Sequence, residues 1–153
     1  IGSIHDFGPI FLGDPELGNK YGAEEIFTAY FSEVLEMVRF GGFDTIGHLD
    51  FPARYIKTQS GCNPLVETIV REALGKDIII EINTSPLRKG MDFTLPGESI
   101  LALYRDCGGR FVTTGSDAHR TGDVAADLDT AEKLLRSFGL QSVYFEKREM
   151  RLL

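Results

Sequence analysis

Short runs rich in β-branched residues alternate along this chain with longer segments of helical period, and that alternation restricts it to parallel βα units. Five strands are expected, at Ile1 to His5, Phe43 to His48, Asp77 to Asn83, Arg110 to Asp117 and Ser142 to Glu146. Ile78-Ile79-Ile80 is the most apolar of these runs, as a strand covered on both faces should be. Four helices separate the strands. The first spans Ala23 to Phe40, where Ile26, Phe27, Tyr30, Phe31, Val34, Leu35 and Val38 recur at helical spacing before Gly41-Gly42 ends the run. The second opens on Asn63 as N-cap with Pro64 at its first position and ends at Gly75. The third covers Glu98 to Cys107 and the fourth Asp123 to Phe138. Asp6 to Tyr21 is the one long irregular stretch, rich in Gly and Pro, and a loop of that length is more often functional than filler.

At 153 residues, 42% hydrophobic and 25% charged, the chain carries enough apolar surface for one soluble domain. Its formal net charge of −7 repels nucleic-acid backbones and anionic membranes, so neither is an expected partner. No apolar run approaches the roughly 18 residues that span a bilayer, and no basic stretch of a signal peptide opens the chain. Cys62 and Cys107 are too few for a disulfide framework or a thiolate metal site; two reduced thiols fit a cytoplasmic location.

The only three histidines, His5, His48 and His119, all fall at the C-terminal ends of expected strands. Parallel strands put those ends on one rim, the rim on which βα barrels build active sites, and imidazole is the commonest ligand for catalytic transition metals. A lone histidine in such a place is more often a satisfied structural residue; three of three shifts that balance. Residues two apart on an extended strand point to the same side, so His48 with Asp50, and Asp117 with His119, are expected to offer an imidazole and a carboxylate each to one divalent site.

Gly2-Ser3-Ile4-His5, Gly47-His48-Leu49-Asp50, Glu81-Ile82-Asn83-Thr84-Ser85 and Gly115-Ser116-Asp117-Ala118-His119-Arg120 occur in the order, and at roughly the spacing, of PHP-type histidinol phosphatases. The chain resembles that family over nearly its whole length. Gly-Ser-Asp-Ala-His is common to several PHP branches; the stretches from His48 to Tyr55 and from Glu81 to Lys89 look like the histidinol phosphatase branch. The resemblance implies an α/β fold, a distorted (β/α)7 TIM-like barrel with parallel strands and outer helices. Such a barrel holds up to three divalent metals, zinc, iron or manganese, at its strand ends. By position, His5, His48, Asp117 and His119 match metal ligands, while Arg54, Arg88 and Asn83 match candidates for holding the substrate. Asp50, Asp117 and His119 are the candidates for proton transfer to the leaving group, and the sequence does not choose among them. Glu81 is either a structural carboxylate or part of the site, and Pro86 departs from the residue expected before Leu87-Arg88.

The family begins with a His-x-His strand, a further His and a bridging Glu, and no His-x-His occurs here. The expectation is therefore that residues 1–153 are the C-terminal portion of a PHP domain, an incomplete barrel inactive alone. Its open sheet edges would be covered by a missing N-terminal segment or a second copy. In a complete enzyme the implied reaction is metal-dependent hydrolysis of a small phosphate monoester, L-histidinol phosphate in histidine biosynthesis. The alternatives are another PHP phosphoesterase and a non-catalytic PHP-like module.

Overall fold

A computed structural model describes residues 1–8, 11–12, 14, 16–58 and 63–153. In chain order the elements are α1 (Leu17–Lys20), α2 (Ala23–Phe40), β1 (Thr45–Ile46), α3 (Ala53–Ile56), α4 (Pro64–Leu74), β2 (Ile79–Asn83), α5 (Glu98–Asp106), β3 (Phe111–Gly115), α6 (Leu128–Phe138), β4 (Gln141–Glu146) and β5 (Glu149–Leu152). The strands lie in sequential order in one five-stranded sheet. β1 to β4 are parallel, and β5 turns back antiparallel on β4. The fold is mixed α/β with a parallel-dominated sheet. Every residue of β2 is buried, which is why its sequence is apolar except where Glu81 and Asn83 meet the polar groups described below.

The helical stripe of α2 is the stripe read from the sequence: Ile26, Phe27, Tyr30, Phe31, Val34, Leu35 and Val38 are all buried. With Val66, Ile69, Val70 and Ala73 of α4 they form part of the main core. Asn63 caps α4, its side chain accepting from the Leu65 N–H at 2.9 Å with Pro64 in the first turn. The fourth helix starts later than expected. Thr121–Asp123 form a 3₁₀ turn, and Ala125 and Asp127 take positive φ of 60° and 59°, which delays regular helix to Leu128.

Three expectations about strands are corrected. Ile1 to His5 is not a strand but makes a single parallel bridge, Gly2 to Ile46, with the Gly2 N–H donating to Thr45 O and Gly47 N–H to Gly2 O, each 2.9 Å. The second strand stops at Ile46, since His48 takes φ of 32° and leaves the extended region. The third departure is β5, which the sequence does not signal. Its hairpin turn uses Lys147 and Arg148 at φ of 50° and 67°, positions where Asn-Gly is the usual pair. No described helix is long and apolar enough to cross a membrane. Cys107 is half-buried and outside any disulfide, while Cys62 lies outside the described residues.

Candidate functional site

The C-terminal ends of β1, β2 and β3 run into loops that carry most of the motif residues. His48 and Asp117 sit just past β1 and β3 in the left-handed region, at φ of 32° and 51°. Strain of this kind costs about 1–3 kcal/mol per residue and persists only where the surroundings enforce it. At His48 the enforcing contact is visible: its N–H donates to Glu81 Oε2 at 3.1 Å. At Asp117 the backbone is held by Arg88, whose Nη1 donates to Ser116 O at 2.6 Å and Nη2 to Asp117 O at 3.2 Å.

Two clusters share this rim. In the first, the His5 and His48 rings meet edge-on with centroids 5.0 Å apart, and Phe51 packs against both at 5.0 and 4.4 Å. His48 is buried, and its Nδ1 has no hydrogen-bond partner among the described residues. Burial, then the neighbouring His5, lowers the His48 pKa to about 4, so at neutral pH the ring is uncharged and keeps a lone pair. In the second cluster, Arg54 Nη1 donates to Ser85 Oγ at 3.0 Å and to Asp117 Oδ2 at 2.9 Å. This ion pair is largely enclosed, with side chains 10% and 21% exposed. The Arg54 guanidinium also lies 4.4 Å from the Phe51 ring centroid, so one aromatic ring touches both clusters. His119, 80% exposed, is within hydrogen-bond distance of Asp117 O through Nδ1, at 2.9 Å.

Arg54, Arg88, Asp117 and His119 line an open cavity of about 420 Å³ together with Lys89, Arg120 and Asp123. Cations outnumber carboxylates in this lining, in a protein whose net charge is −7. A small anion is the complementary ligand. Sequence reasoning missed Lys89, Arg120 and Asp123. The signal available was their place in the loops that follow β2 and β3, where Arg88 and His119 had already been singled out.

Two expected site residues, Asp50 and Asn83, are not among the residues that line the cavity. The strand alternation that would put Asp50 on one face with His48 ends at Ile46, since His48 itself has left the extended region. Asp50 is fully buried, its Oδ2 accepts from Gly97 N–H at 3.0 Å, and its Oδ1 has no partner among the described residues. Burial pushes its pKa up to about 7. Asn83, expected to hold substrate, has its amide engaged inside the protein: Oδ1 accepts from Ser85 N–H and Nδ2 donates to Glu81 Oε2, both at 3.0 Å. Glu81 is buried as well, and burial raises its pKa.

The expected convergence of His5, His48, Asp117 and His119 on one point is met only as pairs. Among the described residues no group of three His, Cys, Asp or Glu is arranged to hold a metal ion. The donor chemistry nevertheless fits one. A buried imidazole nitrogen without a partner, beside a second imidazole, is the start of a nitrogen-rich divalent site. Asp117 Oδ1 adds an oxygen that Arg54 does not use.

No family model matches this chain. A probable histidinol-phosphatase of Clostridium acetobutylicum is 29% identical over 160 residues, covering 99% of this chain and 62% of that protein. The histidinol-phosphatase of Lactococcus lactis is 28% identical over 152 residues, covering 94% of this chain and 56% of its own length. Among solved structures, a histidinol phosphate phosphatase from Lactococcus lactis, complexed with zinc, L-histidinol and phosphate, superposes with a TM-score of 0.74 at 23% identity over 97% of this chain. The similarity to histidinol phosphatases thus runs along nearly the whole chain, consistent with the PHP-type resemblance of its motifs. The chain spans about three fifths of the length of three curated relatives that it matches, 62%, 62% and 58%.

Proposed function

We propose that these residues form the phosphate-holding wall, and part of the metal-holding wall, of a cytoplasmic divalent-metal phosphatase acting on a small phosphate monoester, with L-histidinol phosphate the leading substrate. The observation that carries the reading is the juxtaposition of a cationic pocket built on Arg54 and Arg88 with a buried imidazole whose Nδ1 lacks a partner among the described residues. Similarity to histidinol phosphatases supports the choice of substrate. In this reading the sheet is an arc of a distorted (β/α)7 barrel of PHP type. Because the described donors come only in pairs, the remaining ligands and the strands that close the barrel are supplied from outside residues 1–153.

His5, His48, Asp117 through Oδ1, and His119 would hold the ions, zinc, iron or manganese, up to three in the complete site. Such ions lower the pKa of a bound water and draw off phosphoryl charge. The chain's own residues do the rest. Arg54 and Arg88 bind the phosphoryl oxygens through charge-assisted hydrogen bonds, and Asp117 Oδ2 aims Arg54. His48 is kept neutral by burial and so keeps its lone pair. His119 lines the cavity with Nδ1 anchored on Asp117 O, so Nε2 is the nitrogen that would hold an ion.

The test is titration with inorganic phosphate. Arg54→Met and Arg88→Met should each weaken binding about tenfold or more, since a hydrogen bond to a charged group is worth about 1.5–3 kcal/mol. A wild-type chain that takes up no phosphate at millimolar concentration, or arginine variants that bind as wild type does, would overturn the reading. A second reading, a non-catalytic module, is favoured by the lack of a three-donor group among the described residues. Elemental analysis separates the two, since stoichiometric metal in the purified protein counts against an inert module.

A further inference from the structure

The pocket does not stand on its lining alone; beneath it runs a connected set of buried polar groups that begins at Glu81. Glu81 belongs to β2, whose residues are all buried, and a carboxylate there is costly unless its oxygens are engaged. Its Oε2 receives two donors, the His48 N–H at 3.1 Å and Asn83 Nδ2 at 3.0 Å. The orientation of the Asn83 amide is fixed, because its Oδ1 accepts the Ser85 N–H at 3.0 Å and so leaves Nδ2 for Glu81. Ser85 Oγ in turn accepts from Arg54 Nη1 at 3.0 Å, the same nitrogen that pairs with Asp117 Oδ2 at 2.9 Å. One carboxylate oxygen therefore connects to His48 on one side and to Arg54 and Asp117 on the other.

The glycines of two sequence motifs explain how the carboxylate fits. A Cβ on Gly115 would lie 2.2 Å from Glu81 Oε1, and one on Gly47 would lie 3.5 Å from Oε2. The β2–β3 register pairs Asn83 with Gly115, which brings the end of β3 over the Glu81 side chain. Glu81 occupies a slot that bare glycine backbone leaves open, between the strand that leads to His48 and the strand that leads to Asp117. It is not among the residues lining the cavity.

We infer that Glu81 is a positioning residue acting through a single acceptor, Oε2, which sets the backbone of His48 and, by way of Asn83 and Ser85, the guanidinium of Arg54. The inference rests on the phosphatase reading only for what the positioned groups bind. Since both donors converge on one oxygen, glutamine can replace glutamate: its carbonyl accepts both hydrogen bonds. Methionine is of similar length and accepts neither.

The experiment compares Glu81→Gln, Glu81→Met and Ser85→Ala with wild type, well below each melting temperature. Two readouts are taken: inorganic phosphate affinity, and the NMR signals of the His48 amide and the Arg54 Nε–H. Glu81→Gln should bind phosphate within about threefold of wild type and leave both signals in place, because its carbonyl still accepts from the His48 N–H and Asn83 Nδ2. Glu81→Met should bind at least about tenfold more weakly, as loss of a supporting hydrogen bond behind a site does, and should move both signals. Ser85→Ala should move the Arg54 signal and leave the His48 amide where it was, and it decides the matter if Glu81→Met fails to fold. A Glu81→Gln variant as weak as Glu81→Met would overturn the inference, because the charge itself would then be what matters. So would an Arg54 signal unmoved in Ser85→Ala. If wild type binds no phosphate, the phosphatase reading fails, and the His48 and Arg54 signals still decide the positioning role.

Discussion

Asp50 shows how much one side chain's surroundings can outweigh its place in a motif. It lies two residues from His48, yet it is fully buried and ties the loop after β1 to the Gly97 N–H at the start of α5. Burial holds its folded pKa near 7, above the ordinary 3.8. The folded state therefore binds this proton more tightly than the unfolded chain does. The stability it contributes is complete below about pH 4 and is lost as pH rises through 7. In chemical denaturation wild type should lose more stability between pH 5 and pH 8 than Asp50→Asn, which still accepts from Gly97, while the lowered pKa of His48 acts with the opposite sign in both proteins and cancels in the comparison. Equal pH slopes for the two proteins would remove Asp50 as the source. His5, His48, Arg54, Arg88, Asp117 and His119 were read as candidates from their motifs, and of these Arg54, Arg88, Asp117 and His119 meet at one cavity. Asp50 and Asn83 lie away from that lining for a physical reason: the two-residue alternation ends at Ile46, where the backbone leaves the strand, and the Asn83 amide is bonded to Glu81 and Ser85.

At the scale of elements, helices were the legible part, because a buried stripe at helical spacing and the Asn63-Pro64 start leave strong local signals. Strands were legible in position and less so in extent. β1 is cut short by a contact from Glu81, 33 residues away, and β5 begins after a turn with no glycine, so neither is encoded locally. The end of β3 offers a direct test of how these elements fit. In Gly115→Ala the new methyl carbon would sit 2.2 Å from Glu81 Oε1, a carboxylate already fixed through Oε2. Overpacking of this kind costs about 1–3 kcal/mol. Gly122→Ala, where an added Cβ meets nothing within 4 Å, should stay within about 0.5 kcal/mol of wild type in the same denaturation series. Similar losses for the two variants would contradict the slot at Gly115.

For the whole molecule, five sequential strands make an arc whose first edge, among the described residues, is touched by the Gly2 bridge and whose last edge is β5, where Leu152 is 62% exposed. Edges of this kind call for cover, and the proposal that the barrel and its ligand set are completed by further βα units accounts for the open edge and for the pairing of metal donors at once. Whether residues 1–153 hold part of a shared metal site is decided by phosphate release from L-histidinol phosphate with added manganese, zinc or iron. It should be measured on residues 1–153, on the full-length product of the same gene, and on that product carrying Asp117→Asn. Release should be negligible from residues 1–153 alone, metal-dependent at about 1 per second or more from the full-length protein, and lost with folding retained in Asp117→Asn. Enzyme-like turnover by residues 1–153 would contradict the shared site, and no release by the full-length protein with any of these metals, or full activity in Asp117→Asn, would contradict the assignment itself.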